Sequence, residues 1–127
     1  MVLNIKNETA YPTATLRRIL RLVLASEAAQ GRRIPRRDTV VNIEYCRKGN
    51  LRGEGYRGCA TYSGRLSHLR VPRTELDVAK FAALWQHEAW HLFGIRHEDF
   101  PRGVLYCHAD PLAWVVDKLG GVKTILP

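Results

Sequence analysis

The 127-residue chain has one methionine, Met1, and three cysteines, Cys46, Cys59 and Cys107. An odd number of cysteines with no C-x-x-C spacing does not read as the disulfide framework of a small secreted domain. A single Cys46–Cys59 bridge between neighbouring strands stays open. Nothing approaches the roughly 20 apolar residues of a membrane span. Residues 1–12 lack the continuous apolar run of a signal peptide, and the apolar stretch after them is broken by Arg17, Arg18 and Arg21. These absences predict a cytoplasmic setting with no transmembrane segment. There is no internal repeat and no linker, so one domain over residues 1–127 is expected. The glycine-rich stretch at 47–55 is followed by no G-K-[ST], which excludes a phosphate-cradling loop and leaves a flexible turn.

Acidic residues are scarce, 12 against 20 basic ones, and 15 of the basic ones are arginine. The net charge of +8 favours an anionic partner: nucleic acid, an acidic protein or a membrane surface. The densest charge is Arg32, Arg33, Arg36 and Arg37 around Pro35, a connector that reads either as a solvated loop or as a nucleic-acid docking patch.

Hydrophobic residues make up 46 %, enough for a folded core. The densest chemistry is His87-Glu88-Ala89-Trp90-His91-Leu92-Phe93-Gly94-Ile95-Arg96-His97. Residues four apart share a helix face, so His87 and His91 can aim two imidazoles at one point. Glu88 follows roughly 100° around the helix, close to a metal without ligating it, where a general base belongs. Gly94 accepts the left-handed backbone that ends a helix and allows the chain to bring back His97 as third ligand. Three protein ligands leave a fourth position open, the pattern of a catalytic rather than a closed structural zinc site. Glu98 and Asp99 are rival ligands or supports for an imidazole. Cys107 or His108 would close the site if either ligated the metal. Tyr106 reads either as a hydrogen-bond donor to a developing oxyanion or as a packed tyrosine.

The H-E-x-x-H-x-x-G-x-x-H pattern resembles that of the metzincin zinc metallopeptidases. The resemblance implies Zn2+ held by His87, His91 and His97, with Glu88 as acid/base. Metzincins follow the third histidine with a methionine-containing turn, and this chain has no methionine there; Leu105 or Cys107 would supply the apolar floor of a compact, divergent relative. The run His97-Glu98-Asp99-Phe100 is locally similar to DNA-associated peptidases of the WLM and SprT type.

Along the chain, residues 1–12 suggest a short strand or a loose arm. Leu16, Ile19, Leu20, Val23 and Leu24 mark one face of a helix from Thr13 to Gly31. Alternation of Val41, Ile43 and Tyr45 with Asn42 and Glu44 predicts a strand over Thr39–Cys46. Strands are also expected over Tyr56–Tyr62 and Leu66–Val71. The second of these resembles the edge strand with which zinc peptidases hold an extended substrate, and His68 would lie on its surface. Thr74-Glu75-Leu76-Asp77 fits a capping box, so the motif helix should run from Thr74 to Phe93. Asp110-Pro111 begins a last helix that Gly120-Gly121 ends. The tail at 122–127 shows no pattern.

The expected fold is α+β: a minimal zincin-like domain, its small twisted sheet packed on a backing helix and the zinc-motif helix, with a C-terminal helix. The expected function is zinc-dependent hydrolysis of peptide bonds in a protein or peptide substrate. The water is activated by zinc and deprotonated by Glu88. The alternatives are a nucleic-acid-associated zinc protein, including a protease of DNA-bound proteins, and a non-catalytic structural zinc domain.

Overall fold

The computed structural model describes residues 1–46, 55–100 and 115–127. It has a mixed α+β fold. The order is β1 (Val2–Asn7), α1 (Thr13–Ala29), β2 (Asp38–Tyr45), β3 (Arg57–Ala60), β4 (Leu66–Val71), β5 (Leu76–Asp77), α2 (Val78–Leu92), a 3-10 turn (His97–Asp99) and β6 (Thr124–Ile125). Residues 115–118 are helical, ahead of Gly120 and Gly121. The expected start of that last helix, at Asp110, lies outside the described residues.

The main sheet runs β1-β2-β4-β3, and β5 pairs with β6 in a second, two-stranded sheet. β1 lies parallel to β2 and β2 parallel to β4, whereas β3 is antiparallel to β4. A parallel pair needs a crossover, and α1 supplies it between β1 and β2. The first residues are therefore a strand rather than an arm.

Period-two alternation puts Val41, Ile43, Leu69 and Val71 on the buried face of the sheet. They share one core with Leu16, Ile19, Leu20 and Val23 of α1 and Val78, Phe81, Trp85 and Ala89 of α2. Trp85 is fully buried, and its indole N–H donates to the Leu20 carbonyl at 3.0 Å. One side chain thus packs between the helices and satisfies its own polar atom against the other helix. Truncating a buried aromatic of this kind costs about 3–5 kcal/mol.

Three expectations are corrected. Leu66–Val71 is not an edge strand: β4 is flanked by β2 and β3, and β3 forms the edge. His68 accordingly sits half-buried on an interior strand, its Nδ1 3.4 Å from the Asn42 amide and 3.7 Å from Glu44. The motif helix begins at Val78 rather than Thr74, because Leu76 and Asp77 pair with Ile125 and Thr124. Asp77 is the N-cap, its carboxylate accepting from the Lys80 amide at 3.1 Å. Cys46 and Cys59 are both free thiols. Among the described residues, no helix is long and apolar enough to cross a membrane.

Candidate metal centre

α2 carries His87, Glu88 and His91, and its end delivers His97. Phe93 caps the helix and Gly94 follows at φ 93°, a backbone conformation that strains other residues. The Gly94 amide donates to the His91 carbonyl at 2.8 Å and the Ile95 amide to the Trp90 carbonyl at 3.0 Å. This is the paired pattern of a Schellman stop. The reversal turns the Ile95 carbonyl toward His91, whose Nδ1 lies 2.9 Å from it. An Nδ1–H donating there leaves Nε2 as the free lone pair, the tautomer that a metal ligand needs. The 3-10 turn then places His97 opposite α2.

The three Nε2 atoms converge. His91 Nε2 lies 3.3 Å from that of His87 and 2.9 Å from that of His97, and the His87–His97 separation is 3.1 Å. Zn–N bonds of about 2.0–2.1 Å at tetrahedral angles require ligand nitrogens about 3.3 Å apart. The triangle fits to within a few tenths of an ångström, and the three imidazoles could hold a metal ion. Glu98 and Asp99 are exposed and stand outside this group. His91 is buried, His87 half-buried and His97 exposed, so the cluster opens to solvent on the His97 side. Burial lowers the pKa of His91, which the neighbouring His97 lowers further and the Ile95 hydrogen bond partly offsets. The net effect favours the neutral ring.

Glu88 is 4 % exposed, and its Oε2 has no hydrogen-bond partner among the described residues. Burial pushes its carboxyl up to about 7. A buried carboxylate oxygen without a partner costs free energy unless a ligand or a proton satisfies it. Edge strand β3 passes directly over this side chain at Gly58.

Several residues packed around the cluster carry no signal in the sequence. Phe100, 8 % exposed, packs its ring 5.0 Å from that of His87, 5.3 Å from His91 and 5.6 Å from His97. It forms an aromatic floor that holds all three imidazoles, and Trp90 backs it at 5.0 Å. Only its closeness to His97 in sequence hinted at this. Tyr62, just past β3, meets His91 edge-on at 5.4 Å and is 51 % exposed. Behind the motif, fully buried Glu27 of α1 accepts from the Gln86 amide at 2.7 Å and from Arg32. The Arg32 guanidinium also stacks over Trp90, 4.7 Å from the ring centroid. Arg32 is therefore committed to the support of α2. Arg33, Arg36 and Arg37 are exposed, with Arg36 3.8 Å from Asp38. Tyr106, Leu105, Cys107 and His108 lie outside the described residues.

Scanned against family models, curated proteins and solved structures, the chain matches none of them.

Proposed function

We propose that the chain is a zinc-dependent endopeptidase of metzincin-like design. The observation that carries this reading is the convergence of three Nε2 atoms within 2.9–3.3 Å beside the helix residue Glu88, whose buried Oε2 has no partner among the described residues. Histidine-only donor sets suit zinc among available divalent ions, and three ligands leave room for substrate. Bound there, zinc would polarise the scissile carbonyl and lower the pKa of a water toward about 7.

The remaining work belongs to the chain. His91, fixed by its bond to Ile95, and the Phe100 floor keep the imidazoles in one geometry. Glu88 takes the proton of the attacking water and delivers it to the departing amine nitrogen. Its buried surroundings favour the protonated carboxyl that this delivery requires. Edge strand β3 offers backbone N–H and C=O groups along which an extended peptide can pair, whatever its side chains.

The test is cleavage of an unfolded protein mixture by zinc-loaded wild type, Glu88→Gln and His97→Ala. Wild type should bind one zinc and cleave. Glu88→Gln should keep the zinc and lose at least about 100-fold in rate, the scale of general acid–base catalysis. His97→Ala should lose zinc affinity by more than the roughly 10–100-fold that removing a supporting group costs. Full affinity in His97→Ala would move the third ligand to Glu98 or Asp99. Zinc binding lost in Cys107→Ser or His108→Ala would favour the closed structural site.

A substrate bound to nucleic acid is the second reading, favoured by the exposure of Arg33, Arg36 and Arg37 on one loop.

A further inference from the structure

The strand above the carboxylate contains a glycine that its own backbone does not require. Gly58 lies in β3 paired to Leu69, and it is absent from the positive-φ glycines. Any β-former could adopt its conformation, and glycine weakens a strand. Exposure at the edge gives no reason for it either, since Gly58, Arg57 and Cys59 are all exposed and the last two carry side chains. A glycine that breaks the local rule calls for a reason in its contacts.

That reason lies under the strand. A Cβ built at Gly58 falls 2.7 Å from Glu88 Cγ, 2.9 Å from Cδ and 2.9 Å from Oε1. Each approach is closer than real Cβ atoms make. The clash involves the last carbons and one oxygen of the side chain together, so turning the carboxylate about its terminal bond does not relieve it. Glu88 also has little room to retreat. It is 4 % exposed, and its helix neighbours Trp85, Ala89 and Leu92 are fully buried. Period-two alternation directs Arg57 and Cys59 to the other face of the sheet, so position 58 alone of these three meets the carboxylate.

We propose that Gly58 is a positioning residue: its missing side chain is the space in which the Glu88 carboxylate stands beneath the substrate-binding edge. This rests on the reading of Glu88 as the proton carrier. The three atoms nearest a Cβ at position 58 all belong to Glu88, so its effect on chemistry runs through that side chain. Any larger residue must displace the carboxylate, lift β3 from α2, or both.

The test is a double-mutant cycle between Gly58→Ala and Glu88→Ala, with zinc affinity, thermal midpoint, and kcat and KM on fluorogenic peptides as readouts. In the wild-type background Gly58→Ala should lower the midpoint by about 4 °C or more. In the Glu88→Ala background, where the obstructing atoms are gone, the same change should cost little or raise the midpoint, since alanine suits a strand better. Zinc affinity should stay within about twofold, because no ligand is touched. The kcat should fall at least about 100-fold at similar KM, as when a proton-transfer group is misplaced. An equal midpoint shift in both backgrounds, or none in either, overturns the proposal whether or not the wild type cleaves. So does a Gly58→Ala protein that keeps its kcat and loses only KM, which would make Gly58 a feature of strand shape. Coupling at 58 and 88 in a wild type that binds zinc and cleaves nothing supports the placement of Glu88 and overturns the peptidase reading.

Discussion

Glu88 and Phe100 show how little of a site its ligands make up. The Glu88 carboxyl is raised from 4.5 to about 7 by burial, so the fold prefers it protonated. A carboxyl whose folded pKa lies above its unfolded one costs nothing below the unfolded value. It then costs progressively more as pH rises between the two, and the penalty is constant above the folded value. With zinc chelated, Glu88→Gln should match wild type in stability below pH 4.5 and exceed it increasingly toward pH 7, as read by urea denaturation across that range. A gap that stays flat with pH would show that the carboxyl titrates normally. Phe100→Ala should lower stability by about 3 kcal/mol and release the three imidazoles. Zinc affinity should fall about 10–100-fold, on the scale of lost supporting contacts, with Phe100→Leu retaining most of it. Competition against a chelator measures both. Unchanged affinity in Phe100→Ala would mean that the rings are held by their own backbone attachments.

At the scale of elements, the end of α2 decides the geometry of two candidate ligands together. Gly94 at φ 93° makes the reversal that faces Ile95 O to His91 and starts His97 on its return. Gly94→Ala meets open space, so no clash is involved and the effect isolates backbone conformation. It should cost about 1 kcal/mol, the penalty of a left-handed alanine, and weaken zinc binding through both histidines. A variant with wild-type midpoint and affinity would show that the turn is imposed by packing. The beginning of α2 is set differently. Thr74-Glu75-Leu76-Asp77 has the letters of a capping box, yet Leu76 and Asp77 pair with the chain's last strand and Asp77 itself becomes the cap. A local signal lost to a partner more than forty residues away in sequence.

For the molecule as a whole, the charge is unevenly employed. Arg32 holds Glu27 and Trp90 behind the motif helix, leaving Arg33, Arg36 and Arg37 as the exposed members of the basic connector. If that loop meets nucleic acid, changing these three to serine should remove about two units from the salt dependence of single-stranded DNA binding, with zinc affinity unchanged. An unaltered slope would relocate the contact. The helix over 13–29, the strand around Val41 and Ile43 and the pairing of His87 with His91 were legible in the sequence, because each depends on periodicity within a few residues. The return of His97 toward the other two histidines was legible because Gly94, unlike other residues, takes the left-handed backbone at a helix end without strain. What the tertiary structure alone decided is which strands are neighbours. Alternation reports that a strand has a buried face and carries no information about the strand beside it, so β4 and β3 could be ranked as edge only by the fold. The same holds for Phe100 beneath the imidazoles, for Glu27 behind Gln86, and for Gly58 over Glu88. These contacts join residues brought together by packing, and no spacing along the chain encodes them.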